Sequence, residues 1–354
     1  MTSGRIPLKV RMDTIFNNPN VPPGYEDPDP GDVHQTPRLQ IVPNYDIAIT
    51  GGLGFIGTAL VDHLSPKDVT SNILVLDHQR RAIAIPHRSV RPGVRNLFHA
   101  GCDIVEDSDS LCRRFRGVHT VYHLAAASHS SIEDNEQLFK TNVMGTMNVL
   151  NAAMECYVKK IVVLSSSEIY GSRLHLRQRE DETALRPRNP YAASKASADL
   201  LAQSYMVRYG APIVVLRPCN AFGPGQTASR LIPTLIRAAL ENAPLTVYGG
   251  GKCSREWIYI DDLVRAIATA AELPAGVYNI GSNQTRSVHR VAEEILKRIP
   301  ESTSTIEERH DLYGQDTQIF LSSEKFITAC RGSWHPEVSF EAGLDRTIKD
   351  YRLL

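Results

Sequence analysis

Tyr45-Asp46-Ile47-Ala48-Ile49-Thr50-Gly51-Gly52-Leu53-Gly54-Phe55-Ile56-Gly57 is the stretch whose reading sets the fold. Tyr45 to Ile49 has the character of a short buried strand, and Thr58 to Leu64 has the apolar spacing of an amphipathic helix. The glycines therefore stand at a strand-to-helix turn. There Gly51 can take the positive φ of a tight turn, Gly54 lets backbone N–H groups approach a pyrophosphate, and Gly57 permits close packing of helix on sheet. The helix start, with Phe55 and Ile56 in its first turn, adds a partial positive charge suited to phosphates. Leu74-Val75-Leu76-Asp77 follows as a second strand ending in an acid, about twenty residues past Gly57, where a ribose 2′-hydroxyl would be read. A lone glycine triplet is compatible with a tight turn and nothing more. The strand, helix and acid around this one favour a dinucleotide site.

Outward from that turn, short β-branched runs alternate with helical patterns. Strands are expected at 45–50, 72–77, 118–123, 160–165 and 212–217, and helices near 55–65, 108–116, 133–157 and 191–209. Repeated β–α alternation with apolar strands predicts an α/β doubly wound parallel sheet with helices on both faces. Ligands of such sheets bind at the carboxyl ends of the strands. Leu124-Ala125-Ala126-Ala127 and Ser165-Ser166-Ser167 both begin where strands end. Beyond about residue 218, proline and glycine increase and strands shorten, which predicts a smaller substrate-binding lobe over 218–354. Segments near 261–281 return to the Rossmann domain of 45–217, so the lobes interleave. Residues 1–44 are rich in Pro, Asn, Asp and Gly, with Pro22-Pro23-Gly24 and Asp27-Pro28-Asp29-Pro30-Gly31. This composition opposes regular structure. The segment reads either as an extension on the surface or subunit contact, or as disorder.

The 354 residues are enough for one large or two interleaved domains, and 39 basic residues balance 39 acidic ones. Such a balance gives no electrostatic grip on nucleic acid or an anionic membrane. No apolar run is long enough to span a bilayer, and no secretory-signal pattern opens the chain. The six cysteines lack metal-like spacing and read as reduced thiols, so a cytoplasmic location and no metal site are expected.

Tyr191-Ala192-Ala193-Ser194-Lys195 places Tyr and Lys four apart at the start of an expected helix, on one face. An ammonium beside a phenol stabilises the phenolate and makes a general base usable near neutrality. With Thr50 to Gly57, His123-Leu124-Ala125-Ala126, Asn142, Ser165 to Gly171, Asn189 to Lys195, and Arg217-Pro218-Cys219-Asn220 in that order, the chain resembles the extended short-chain dehydrogenase/reductase superfamily. Within it the similarity is to the NAD-dependent nucleotide-sugar epimerases and dehydratases, over roughly residues 45 to 350.

The resemblance implies roles position by position. Tyr191 takes the proton of the sugar 4-hydroxyl while hydride leaves carbon 4. Lys195 lowers the tyrosine pKa and holds the nicotinamide ribose, and Ser166 steadies the 4-oxygen. Asn142 supports the active-site backbone, Asp103 and Ile104 meet the adenine, and Asp77 meets the ribose. Leu124, Ala125, Ala126 and Pro218, with Asn142 and Tyr191, complete the NAD contacts. Asp77 would repel a 2′-phosphate, which favours NAD, whereas Arg80 and Arg81 close by could accept NADP. The nucleotide-diphosphate sugar is expected to touch Ser128, Ser167, Asn220, Arg230, Leu231, Tyr248 and Arg255, with the Arg255 fork suited to the diphosphate. His129 is near the expected cleft and carries no assigned role. Relatives commonly pair two helices, here near 133–157 and 191–209, in a homodimer contact, which Leu200, Leu201 and Met206 would suit.

The reaction stays open at this level. Glu168 stands where the family's 4,6-dehydratases carry the base that removes the carbon-5 hydrogen. Position 167 is serine, whereas the dTDP-glucose dehydratases have an aspartate there. A 4-epimerase needs no such base, and a UDP-uronate decarboxylase also carries Ser-Glu. Elimination is the favoured reading, with epimerisation and decarboxylation as alternatives. A non-catalytic dinucleotide sensor would keep the glycines but not the intact Ser166, Tyr191 and Lys195 set.

Overall fold

The structure is a computed structural model that describes residues 45–65, 71–78, 97–128, 134–173, 176–310 and 316–353. The extension 1–44, Arg80, Arg81 and His129 lie outside these residues. In chain order the strands are β1 (Ile47–Thr50), β2 (Ile73–Asp77), β3 (Leu97–Gly101), β4 (Thr120–His123), β5 (Lys160–Leu164), β6 (Arg177–Gln178), β7 (Ile213–Pro218), β8 (Asn220–Phe222), β9 (Leu245–Tyr248), β10 (Ser254–Tyr259), β11 (Gly276–Ile280), β12 (Thr285–Ser287), β13 (Ile306–Arg309) and β14 (Gln318–Leu321). The helices used below are α1 (Phe55–Leu64), α2 (Ser108–Phe115), α3 (Asn135–Phe139), α4 (Gly145–Glu155), α5 (Pro190–Tyr209), α6 (Leu231–Leu240) and α7 (Ile260–Ala270).

Seven parallel strands form the main sheet in the order β11-β7-β5-β4-β1-β2-β3. This is the doubly wound sheet expected from the sequence. Chain order reverses beside β1, which pairs with β2 on one side and β4 on the other. The resulting crevice at the carboxyl ends of β1 and β4 is where such sheets bind ligands.

The strands read as continuous apolar runs because both faces are covered. Ile49, Val75, Tyr122, Val162 and Val214 pack into one core, while Ala48, Leu74, Val121, Ile161 and Val215 pack into the other. Helix α1 packs on α7, and β11 lies beside β7, so chain from beyond residue 260 helps to complete the layered sheet. A second sheet runs β12-β10-β14-β6, with β8 joined to β10, and β9 pairs with β13.

Two elements differ from the sequence expectation. Strand β3 was not anticipated, because Leu97-Phe98-His99-Ala100-Gly101 has no fully buried residue and no apolar run. The continuous helix expected over 133–157 is interrupted by a π-turn at Lys140–Met144 between α3 and α4. Such turns put an extra residue into the helix and occur often at functional sites. Here the turn contains the buried Asn142.

Candidate active site

At the dinucleotide end, Gly51 has φ of +72°, and a Cβ there would lie 2.6 Å from the Ala125 nitrogen. A Cβ on Gly57 would lie 2.2 Å from the Gly51 carbonyl oxygen. These contacts bring the turn after β1, the start of α1 and the segment after β4 together without side chains between them. Gly54 caps α1 in extended geometry with no side-chain cap bond, so the N–H groups of Phe55, Ile56 and Gly57 lack intrahelical partners. Asp77, at the end of β2, accepts from the Leu53 N–H at 2.9 Å and the His78 N–H at 2.8 Å. Each carboxylate oxygen keeps further acceptor capacity for a ribose hydroxyl.

Asp103 turns its carboxylate to the Val105 N–H at 2.8 Å and toward His78 at 3.5 Å, on the same edge of the sheet as Asp77. Ile104 is buried against Gly145. At the end of β5 the Ser165 hydroxyl is buried with no partner among the described residues. An uncapped helix start, a side-chain-free cradle and an orphaned hydroxyl at the strand ends fit a bound dinucleotide. Replacing Gly57 with Ala is expected to force the turn open. The cost is about 1–3 kcal/mol, to be read as roughly a 5- to 150-fold loss of NAD affinity by titration calorimetry.

The segment after β4 is held from below. Asn142 accepts from the Ala127 N–H at 2.7 Å, and its amide donates to the Ala127 carbonyl at 3.1 Å and the Ser194 hydroxyl at 2.8 Å. Ser194 in turn donates to the Tyr191 carbonyl at 2.8 Å. One buried amide thus ties Ala127, at the end of the Leu124–Ala127 segment, to the first turn of α5.

The sequence gives His123 no task. It spans Thr50 at 2.7 Å and Thr146 at 2.9 Å. Thr146 spends its proton on the Asn142 carbonyl at 2.6 Å, so His123 must donate from Nε2 and accept at Nδ1. Burial, assisted by the Lys195 charge, pushes its pKa down to about 3, and the ring is neutral.

The catalytic candidates converge on the end of β5. Ser166 caps the short 3-10 turn Ser167–Tyr170, accepting from the Glu168 N–H at 3.2 Å, and its hydroxyl hydrogen-bonds the Tyr191 phenol. Asn189 caps α5 through the Ala192 N–H at 2.7 Å, and its amide reaches the Glu168 carboxylate at 3.4 Å. Asn189 therefore steadies both Glu168 and the helix that carries Tyr191, a role its cap position alone would not reveal.

The Tyr191 phenol is pushed up to about 12, first by burial and then by the Glu168 carboxylate, while Arg230 and Ser166 pull it down. Lys195 shares a helix face with Tyr191, but its ammonium runs to the Leu164 carbonyl at 2.6 Å. Burial takes the Lys195 pKa down to about 8, opposed by Asp199.

On the expected substrate side, Arg230 stands at the start of α6 and its charge reaches Tyr191, with Leu231 following half-buried. Ser128 is half-buried at the end of the β4 segment, and Ser167 is buried in the 3-10 turn. Pro218 ends β7, and Asn220 opens β8 paired with Trp257 of β10. On the same strand Arg255 donates to the Ser254 carbonyl at 3.1 Å and lies opposite Arg286. Arg286 is neutralised by Glu341 at 2.6 Å, whereas no carboxylate among the described residues pairs with Arg255. Tyr248 stands apart, on the β9–β13 pair, where it lines a shallow depression with Glu308, Arg309 and His310.

A dinucleotide crevice at a strand-order reversal, with Ser, Tyr and Lys at its floor, defines an NAD-dependent enzyme of the doubly wound class. The chain belongs to the NAD dependent epimerase/dehydratase family, whose model matches residues 47–281. It is 36% identical to the dTDP-glucose 4,6-dehydratase of Streptomyces griseus, over 86% of this chain and 93% of that protein. Among solved structures it resembles DesIV, the dTDP-glucose 4,6-dehydratase of Streptomyces venezuelae with NAD bound. The identity is 32% and the TM-score 0.77, with 87% of this chain and 97% of that one covered. The UDP-glucose 4-epimerase of Thermotoga maritima is similar at 25% identity with the same TM-score, over 87% of this chain and 98% of that one.

Proposed function

We propose that this enzyme is a nucleotide-hexose 4,6-dehydratase. The observation that carries the reading is the Glu168 carboxylate, held by Asn189 and close enough to act on the Tyr191 phenol. When bound, NAD would supply an acceptor for the carbon-4 hydride and the hydride that is later returned. Gly51, Gly54, Phe55, Ile56, Gly57 and Asp77 hold the dinucleotide, with Asp103 and Ile104 toward the adenine. Tyr191 removes the proton of the sugar 4-hydroxyl while Ser166 steadies that oxygen. The 4-ketone acidifies the neighbouring hydrogen at carbon 5, and Glu168 takes it as a proton; of the two protons that Tyr191 and Glu168 then hold, one leaves with the 6-hydroxyl as water and the other goes to carbon 5 when hydride returns to carbon 6. Arg255 is assigned to the diphosphate, Arg230 to the side of the site near Tyr191, and Asn220 to the sugar side.

Ser167 favours a second reading, a 4-epimerase, because a serine offers the leaving hydroxyl no carboxylic acid. Incubating the protein with dTDP-, UDP- and GDP-hexoses tests both. A 4-keto-6-deoxy chromophore in alkali supports dehydration. Unchanged mass with altered stereochemistry on one sugar would move the assignment to epimerase, and loss of carbon dioxide from a UDP-uronate to decarboxylase.

We also assign a cytoplasmic homodimer. All six cysteines are free thiols, and no helix among the described residues is long and apolar enough to cross a membrane. Phe139, Met144 and Leu200 expose apolar side chains along α3, the π-turn and α5, while Leu201 and Met206 pack partly into the core. Sedimentation at micromolar concentration is expected to give a dimer, and a monomer would end that assignment.

A further inference from the structure

The catalytic candidates sit on two separate pieces of chain. Ser166 and Glu168 belong to the turn after β5, and Tyr191 and Lys195 to α5. One buried side chain from a third element grips both. Arg217, near the end of β7, donates from Nε to Asp199 at 2.9 Å and from Nη2 to the other Asp199 oxygen at 2.8 Å. Its remaining arm donates from Nη1 to the Tyr170 hydroxyl at 2.7 Å. Tyr170 closes the turn that begins at Ser166, and Asp199 lies one helical turn beyond Lys195 on α5. The Tyr170 hydroxyl donates a hydrogen bond to the Asn279 side-chain oxygen of β11 at 2.8 Å, and the Asn279 amide donates to the Gln178 carbonyl at 2.9 Å. Arg217 and Asp199 are almost wholly buried, at 3% and 0% side-chain exposure.

We infer that Arg217 is a positioning residue of the active site, a clamp that holds the Ser166–Glu168 turn in register with Tyr191 and Lys195. A planar, always charged fork suits this task, because its donors leave in fixed directions and satisfy a carboxylate bidentately while a third reaches elsewhere. Lysine would keep the charge but could not hold both partners in one plane. The geometry at stake is the hydrogen bond from Ser166 to the Tyr191 phenol, since a displacement of about 1 Å at reacting groups can cost on the order of 100-fold in rate.

The inference rests on the oxidative role proposed above for Ser166 and Tyr191, so its test joins a readout that needs no sugar to one that does. Breaking the ion pair outright, as in Asp199→Ala, can prevent folding by leaving the buried guanidinium unpaired. Tyr170→Phe removes one hydroxyl and keeps the pair, and Arg217→Lys serves beside it. The Tyr170→Phe structure with NAD bound is expected to show the Ser166 hydroxyl drawn off Tyr191. Its turnover is expected to fall about 10- to 100-fold, with the KM for the sugar and the affinity for NAD within about twofold of the unaltered protein.

An unmoved Ser166 in Tyr170→Phe would overturn the clamp. So would a fall in NAD affinity parallel to that in turnover, which marks a general structural role. If the unaltered protein is inert on every sugar, the functional reading fails, and the Ser166 position in the variant still decides whether Arg217 clamps the turn.

Discussion

Tyr191→Phe is expected to lower turnover by about 10²- to 10⁴-fold, the usual contribution of a positioned general base, while NAD affinity stays within about twofold. The phenol hydroxyl is the group bonded to Ser166 and acted on by Glu168 and Arg230, so it stands where the sugar 4-hydroxyl must lose its proton. The ring itself keeps its packing in the variant. Turnover by stopped assay and NAD binding by calorimetry check the two halves separately. Retained turnover would remove Tyr191 from the chemistry, and lost NAD binding would recast it as a cofactor contact.

Glu168→Gln is expected to reduce elimination by a similar factor, about 10²- to 10⁴-fold. It should also abolish exchange of solvent deuterium into carbon 5, since an amide cannot accept that hydrogen. The same change removes the negative charge that raises the Tyr191 pKa. A lost like charge favours the phenolate, so the acid limb of the first oxidation should move to lower pH in this variant. Exchange at carbon 5 continuing at its normal rate would place the base elsewhere.

The parts of this architecture that were legible in the sequence are those built over short stretches. The glycine turn, the strand before it and Asp77 lie within about one β–α–β unit, whose spacing carries its own geometry. The apolar strands declared a sheet covered on both faces, as the alternation of Ile49 and Ala48 between two cores bears out. What could not be read depends on partners distant in sequence. Asp199 and Tyr170 are brought to Arg217 by strand order, and the only local sign is a charged residue ending the apolar run Ile213-Val214-Val215-Leu216.

The π-turn at Lys140–Met144 has no compositional signature, so the uninterrupted helix was the natural reading of that stretch. The Tyr191 and Lys195 spacing predicted a shared helix face, but spacing says nothing of the Leu164 carbonyl that takes the ammonium. The Asn189 cap of α5 and its second bond to Glu168 both require the chain to be folded, the latter with the turn after β5 beside α5.

The most direct test follows the carbon-4 hydrogen. A nucleotide hexose deuterated at carbon 4 should yield a 4-keto-6-deoxy sugar, lighter by one water and carrying the label at carbon 6. A product of unchanged mass with the label back at carbon 4 would contradict elimination driven by Glu168.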